Sequence, residues 1–573
     1  MAKKPRKKKQ LNKEESRDNT LFYTALAAFG VLLFYPPFFR GLFFKVEQQW
    51  TLLFASLVFL TCCLWRISEK DFRFFSGLQS YAVFGLLLAY VISSFGAADL
   101  RLAVAEVVKM GIYFIVFWVA GQFVRNNKAL HVILAVLYLS GVCVALAGFL
   151  SAVGILDIQD GFVNGRIYST LQYPNALAIF LAAIAFLGFY YWLVTSPGIK
   201  RLGLAAGNFI LLFVFVSTNS RGGFLVAAGM AALYFLCLPV EKKLPWAGHI
   251  ACIALLAVLC SGKIIPAAMA ESYDTAWGWF LACLALCILI HWFGQRSLTS
   301  LGSSIKGINV KRAVALGLIC IVVIAGIILL PGNDTGTPAA AGTGEEQAWY
   351  FKVLPEHIAQ RVSDITLETQ SAALRIYWTL QAFDIVKHSP VFGLGGGAWE
   401  ASYRMFQDYP YNSTQVHNHF LQLWAEIGTV GFILYAAVWL LFVITCWKIF
   451  RSETTLEGKV FGASIFTAGI GLGVHSFIDF DLALSAVAIL LWTCFGLVWG
   501  KGQNTGEVPD KGGKDTGRQK KGFIAGTAVL TICFLALPGE SSDFQCLCER
   551  RCGLRSSRSY SGCGEKLHGS LPV

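Results

Sequence analysis

The sequence has few charged residues. Of its 573 residues, 14% are charged and 56% are hydrophobic, and the mean hydropathy is +0.59. Soluble domains carry about 25% charged residues, so the charges here are too few to cover several soluble domains. A soluble multidomain enzyme is therefore excluded. The apolar residues lie in runs of about 17 to 25, the length of a helix that crosses a bilayer, which predicts an all-α polytopic membrane protein.

The largest hydrophilic segment, residues 332–420, contains no cysteine. This absence excludes a disulfide framework there. Twelve of the 16 cysteines lie in or beside apolar runs, where cysteine behaves as a small apolar side chain. The other four, Cys546, Cys548, Cys552 and Cys563, lie near the end of the chain in a spacing that fits no zinc site well.

Fifteen apolar runs predict about 14–15 transmembrane helices, at 21–39, 50–65, 80–97, 103–123, 130–155, 176–195, 203–218, 222–240, 247–262, 276–293, 313–331, 421–447, 460–477, 482–500 and 522–538. The predicted organisation is a basic cytoplasmic tail (1–20), eleven spans (21–331), a large extracytoplasmic loop with an interfacial helix (332–420), three spans (421–500), a basic linker (501–521), a last span (522–538) and a tail (539–573). We expect that last tail to be disordered, or to reflect a truncated or frameshifted end.

Lys and Arg fix the predicted orientation. With the N-terminus inside, the inner segments hold 30 of these residues and the short outer loops hold 6, as the positive-inside rule requires. The net charge of +13 is explained by this bias without a nucleic-acid partner. The 332–420 loop then faces outward. Because ATP and nucleotide sugars are cytoplasmic, chemistry on the outer face needs a donor that was activated and carried across beforehand.

Three arginines are predicted to face outward. Arg221 lies in Ser220-Arg221-Gly222-Gly223, between two spans with almost no loop. A cation at this depth is costly unless an anion or carbonyl groups receive it, and the planar guanidinium suits phosphate oxygens. The alternative is a side chain that only reaches to the interface. For Arg166 and Arg375 too, the sequence allows either a phosphate-binding role or a side chain that only reaches to the interface.

His417 and His419 precede and open the span after the large loop. Asn418 is a suitable N-cap, which leaves His417 just outside the helix, where it could be a neutral proton acceptor or a polar anchor. His419, Gln422, Leu423 and Glu426 share one helical face. A metal site would need a third ligand, for which Glu400, Asp408 and Asp479 are candidates, and nothing in the spacing selects one.

Several other polar groups have two interpretations. Glu106 and Lys109 are three residues apart within one span and could be functional or could simply neutralise each other. His475, Asp479 and Asp481 could contact an acceptor or belong to ordinary interface polarity. The glycines from Gly393 to Gly397 lack the Lys and Ser/Thr of a phosphate-binding loop, so they predict a tight turn.

These residues resemble the O-antigen ligase and O-antigen polymerase superfamily of bacterial inner-membrane glycosyltransferases. The ligase pattern of His and Asn, then nine residues, Gly, two residues and Gly matches His417-Asn418, Gly428 and Gly431. The resemblance covers about residues 160–500. It also rests on Tyr173-Pro174-Asn175, the Ser220–Gly223 turn, Arg375-Ile376-Tyr377-Trp378, the Gly393–Gly397 turn and the segment from His475 to Asp479.

The resemblance implies a fold like that of the C-type membrane glycosyltransferases and an inverting transfer without metal or other cofactor. The donor would be a glycan on undecaprenyl diphosphate, and the acceptor a hydroxyl group of a glycan, lipid or protein. By resemblance, Arg221 and Arg375 would bind the diphosphate and His417 would orient or deprotonate the acceptor. Further substrate-binding candidates are Arg166, Tyr173, Asn175, His419, Glu426, His475 and Asp479.

Three alternatives remain at this point. A polymerase would join lipid-linked repeat units, and a protein O-oligosaccharyltransferase would use a protein hydroxyl. A polysaccharide transporter, which is not an enzyme, predicts polar residues and broken helices along a path through several spans. In this sequence the polar residues gather at one face of the predicted bundle.

Overall fold

The computed structural model describes residues 20–301, 355, 358–360, 370–408, 410–504 and 516–556. These residues form helices and one short antiparallel hairpin, Phe162–Val163 with Arg166–Ile167. The helices are α1 Thr20–Phe38, α2 Lys45–Ser68, α3 Gly77–Ser94, α4 Leu100–Phe123, α5 Asn127–Ala152, α6 Pro174–Val194, α7 Ile199–Ser217, α8 Arg221–Cys237, α9 Val240–Met269, α10 Tyr273–Leu301, α11 Gln370–His388, α12 Ala398–Phe406, α13 His419–Ser452, α14 Leu456–His475, α15 Ser485–Asn504 and α16 Thr516–Ser556.

The all-α polytopic membrane fold is confirmed. Within the described residues, twelve helices are long and apolar enough to cross a membrane. Two further predicted spans correspond to the shorter apolar helix α8 and to α14. The predicted run at 313–331 lies outside the described residues.

The centre of the bundle is formed by helices that are apolar around their whole circumference. The most apolar windows of α6 and α15 are 89% buried, whereas that of α16 is 22% buried. Helix α4 packs closely on α15 because glycines face the contact: a Cβ at Gly496 would lie 2.3 Å from the Phe117 carbonyl oxygen. Small residues of this kind allow transmembrane helices to approach closely.

Helix α13 is broken at Gly428, whose backbone has φ 63° and ψ −171°. The break frees the carbonyl groups of Ala425 and Glu426, which accept hydrogen bonds from the amides of Leu394 and Gly395, each at 3.0 Å. The predicted turn at Gly393–Gly397 is confirmed, because three of its glycines have positive φ. The turn thus fills the break in α13.

Substituting Gly428 by alanine is expected to destabilise this junction. A Cβ at Gly428 would lie 2.3 Å from the Val391 carbonyl oxygen, at a positive φ that costs a side-chain-bearing residue about 1–3 kcal/mol. We expect Gly428→Ala to lower the thermal unfolding midpoint of the purified protein by several degrees. The control is Gly278→Ala in α10, where a Cβ meets nothing within 4 Å. Equal midpoints for the two variants would contradict the structural role of the break.

The described part of the large loop folds against the bundle. The interfacial helix predicted within residues 332–420 corresponds to α11, which packs with α12 and the first turns of α13. Together they bury a small second core of Ala382, Ile385, Val386, Ala398, Trp399, Tyr403, Val416 and Ala425.

The sequence predicted disorder after Pro538, whereas in the structure α16 continues to Ser556. The expectation rested on missing apolar periodicity. Apolar periodicity indicates only that one face of a helix is buried. A helix without a buried face can still form where residues with high helix propensity, such as Glu, Leu, Arg and Gln, are present. Residues 557–573 lie outside the described part of the chain.

Candidate functional site

Four segments that are distant in sequence meet at one end of the bundle, and local signals begin or end a helix at each. Pro174 opens α6 at the first helical position, where its missing N–H costs nothing. The Ser220 hydroxyl caps α8, accepting from the Gly223 amide at 3.2 Å. The Asn418 side chain caps α13 as predicted, accepting from the Leu421 amide at 3.1 Å. The fourth segment follows the end of α14 at His475.

The carboxylate of Asp479 is the centre of this cluster and is almost fully buried. It accepts a hydrogen bond from the Tyr173 hydroxyl at 2.7 Å and one from the Asn175 side-chain amide at 2.7 Å. The Arg375 guanidinium donates to the same carboxylate at 3.0 Å. One buried anion therefore holds the start of α6 and the helix α11 of the large loop together.

Burial raises the pKa of Asp479, but contact with His417 and the charge of Arg375 outweigh it and hold the pKa well below its usual range. Burial and the neighbouring carboxylate raise the pKa of Tyr173 well above its usual value. Asp479 is therefore the ionised acceptor and Tyr173 the neutral donor of their hydrogen bond. The positive charge of Arg375 compensates the buried carboxylate.

His417 is held between Asp479 and two aromatic rings. Its Nδ1 lies 3.3 Å from Asp479 Oδ1, at ion-pair distance but without the alignment of a hydrogen bond. The imidazole stacks on Trp378, with ring centres 4.9 Å apart, and meets the Phe480 ring edge-on at 4.7 Å. Its backbone φ of 59° is unfavourable for a residue with a side chain. The surrounding contacts therefore fix where this imidazole points.

Arg221 is the first residue of α8 and is partly buried. The adjacent Ser220 hydroxyl donates to the Asn175 side-chain oxygen at 2.9 Å, so the Arg221 turn is tied to the Asp479 cluster through Asn175. Arg166 Nε donates to the Thr218 carbonyl oxygen at 2.8 Å. Arg166 therefore braces the connection from α7 to α8, just before Arg221.

His419 and Glu426 lie in a different place, a cavity that Asp479 does not line. With Gln422 and Leu423 they line this cavity, which agrees with their predicted common face. Glu426 accepts from the Tyr90 hydroxyl at 3.1 Å, from Gln422 at 3.2 Å and from the Gly397 amide at 3.1 Å. Glu426 thereby fixes the glycine turn to α13.

The cavity also contains the predicted pair of Glu106 and Lys109, whose charged atoms are 2.5 Å apart. Because His419 lines the cavity and His417 contacts Asp479, the two histidines are directed to different surroundings. In the parts of the chain that the structure describes, no group of three or more His, Cys, Asp or Glu residues is arranged to hold a metal ion.

His475 is buried, with 1% of its side chain exposed, and its Nδ1 contacts Asp481 Oδ2. Sequence reasoning named His475 as a substrate-binding candidate but did not pair it with Asp481. It also missed the ring of Phe480 beside His417. The short separation of His475 and Asp481, six residues, could have indicated that the two side chains meet. Nothing in the sequence indicated the contact between Phe480 and His417.

Comparison with known proteins bears on the same residues. No curated protein matches the chain. A protein-family model described as O-antigen ligase matches residues 267–436. The matched range contains Arg375, His417, His419 and Glu426, and it ends within α13 after the glycine break. This match supports an O-antigen ligase family assignment for the matched segment.

Proposed function

We propose that this protein transfers an oligo- or polysaccharide from undecaprenyl diphosphate to an acceptor hydroxyl on the outer face of the bacterial cytoplasmic membrane. The family supports activity of the O-antigen ligase or polymerase type in general. The observation that carries the finer proposal is the cluster around Asp479, which places Arg375 and His417 on one carboxylate. Cationic groups for a diphosphate and a base for a hydroxyl are the parts that such a transfer needs.

His417 is the proposed base. It takes the proton of the acceptor hydroxyl while that oxygen forms a bond to the anomeric carbon of the donor. The bond from this carbon to the diphosphate breaks, the electron pair leaves with the diphosphate, and the configuration at the carbon inverts. Asp479, 3.3 Å from Nδ1, favours the tautomer with the proton on Nδ1 and stabilises the imidazolium that forms, as in other carboxylate–histidine pairs.

The arginines are proposed to receive the diphosphate. Arg221 opens a helix of 17 residues, and a helix N-terminus favours phosphate groups. Arg375 is held by Asp479 and is 30% exposed, so part of its side chain remains accessible to a ligand. Fixed donors of this kind stabilise charge that grows on a leaving group without having to reorganise.

The charge distribution supports an outward position of the site. The opposite end of the bundle carries Lys200 and Arg201 in the first turn of α7, and Lys242 and Lys243 at the start of α9. Lys and Arg mark the cytoplasmic side of membrane proteins. The end that holds Asp479 is therefore proposed to face away from the cytoplasm, where a lipid-linked donor is available and nucleotide sugars are not.

The test is to delete the protein in its host and identify the lipid-linked glycan that accumulates. A full-length lipid-linked chain indicates a ligase, and single unjoined repeat units indicate a polymerase. The matched control is re-expression of the wild-type chain or His417→Ala at equal membrane levels, of which only the first should clear the intermediate. A glycan trapped on the inner face, protected from an impermeant glycosidase in spheroplasts, would instead indicate transport. No accumulation of either intermediate would contradict the proposal.

A further inference from the structure

The imidazole of His475 lies against the first turn of α8, the turn that carries Arg221. A Cβ at Gly222 would lie 3.2 Å from His475 Nε2 and 3.0 Å from Ile478 Cδ1. At Gly223, a Cβ would lie 2.8 Å from the Cβ of Ala178 in α6. The backbone of this turn is therefore enclosed between His475 on one side and α6 on the other, and the two glycines allow that fit.

The two ring nitrogens of His475 have different surroundings. Nδ1 contacts the buried carboxylate of Asp481, and Nε2 is buried without a hydrogen-bond partner in the described part of the chain. In the neutral ring, a carboxylate beside Nδ1 selects the tautomer with the proton on that atom, which leaves the lone pair on Nε2. This lone pair lies beside the start of α8.

A lone pair on His475 Nε2 is electrostatically favourable beside the start of α8. The first amides of a helix have no carbonyl partner within the helix, and a helix N-terminus has a partial positive charge. An acceptor is therefore favourable there, and a second positive charge would be unfavourable. By keeping the proton on Nδ1, Asp481 leaves His475 with an unprotonated Nε2 beside the turn that carries Arg221.

We infer that His475 and Asp481 form a positioning pair that holds the first turn of α8, and with it the guanidinium of Arg221, in the geometry for the donor diphosphate. The inference rests on the proposed function of Arg221. His475 is buried, so in this inference it is a positioning residue that acts through Arg221. The substrate-binding role that the sequence suggested for it stays a prediction.

Gly222→Ala tests the fit directly. The added methyl group would press on His475 and displace the Arg221 turn, and small displacements of groups at a reacting centre cost up to about 10²-fold in rate. We expect kcat for glycan transfer in membranes to fall by about tenfold or more, with a smaller change in KM, because the charge facing Arg221 grows as the bond breaks. The control is Gly229→Ala in the same helix, where a Cβ meets nothing within 4 Å; its rate should match the wild type.

Two substitutions at His475 separate positioning from packing. His475→Gln keeps an acceptor near the place of Nε2, whereas His475→Leu fills the space without one. We expect the glutamine variant to retain most of the transfer rate and the leucine variant to lose as much as Gly222→Ala. Equal rates for both variants, compared at equal amounts of inserted protein, would overturn the inference.

A further comparison links the pair to Arg221. In an Arg221→Lys background, where the planar guanidinium is already absent, Gly222→Ala should lower the remaining rate little. If Gly222→Ala lowers the transfer rate by the same factor in this background as in the wild type, its effect comes from packing alone. That result would overturn the inference. If Arg221→Ala abolishes transfer while Gly222→Ala and His475→Leu are normal, the positioning pair is wrong and the proposed function stands. Normal transfer by Arg221→Ala would overturn both.

Discussion

Replacing His417 by alanine is expected to lower glycan transfer by about 10²- to 10⁴-fold, the usual contribution of a general base. The variant removes the imidazole next to Asp479 and leaves the rest of the cluster in place, because Tyr173, Asn175 and Arg375 hold the carboxylate independently. The measurement is the amount of transferred glycan per amount of inserted protein in membranes supplied with the lipid-linked donor.

His388→Ala is the matched control for this variant. His388 is an exposed histidine at the end of α11, in the same loop region but away from Asp479. The His388→Ala variant should transfer glycan at the wild-type rate. Wild-type transfer by His417→Ala would contradict the role of His417 as the base.

Arg221→Ala is expected to lower transfer by about 10²- to 10³-fold, the range for removing one fixed donor that faces a developing anion. Arg221→Lys keeps the positive charge but loses the planar fork of donors, which matches phosphate oxygens better than an ammonium group does. Its rate should therefore lie between those of the alanine variant and the wild type. The measurement is the initial transfer rate across a range of donor concentrations.

The control for Arg221 is Arg101→Ala. Arg101 lies at the same end of the bundle, at the start of α4, and pairs with Asp99 at 3.0 Å on the exposed surface. Exposed ion pairs contribute little, so this variant should retain wild-type transfer. Equal losses in Arg101→Ala and Arg221→Ala would show that the effect comes from general loss of positive charge.

The helices could be predicted from the sequence because each long apolar run must satisfy its backbone hydrogen bonds inside the bilayer. The predicted cap at Asn418 and the turn at Gly393–Gly397 followed from equally local rules. The break at Gly428 could not be predicted in this way. Its backbone is paired with Pro390 to Gly395, outside the helix, and apolar periodicity does not report such contacts.

The candidate site could be predicted in its residue types but not in its arrangement. The residue types marked Arg221, Arg375 and His417 as candidates. Arg375 and His417 meet at Asp479, which is distant from both in sequence, and the turn of Arg221 is tied to Asp479 through Asn175. His417 and His419 are neighbours in sequence, but only His417 joins Asp479, because the start of α13 turns His419 into the buried cavity. Contacts between segments that are far apart in the chain decided these outcomes.

The most direct test of an outward-facing transfer site is to determine from which side of the membrane the Asp479 cluster is reached. Thr414, exposed and three residues before His417, and Ser196, exposed between α6 and α7 at the opposite end of the bundle, would each be replaced by cysteine. An impermeant thiol reagent would be applied to intact spheroplasts, with the wild-type chain giving the labelling of the native cysteines. We expect labelling of Thr414→Cys in intact spheroplasts, and labelling of Ser196→Cys only after the membrane is opened. The reverse pattern would contradict an outward-facing transfer site.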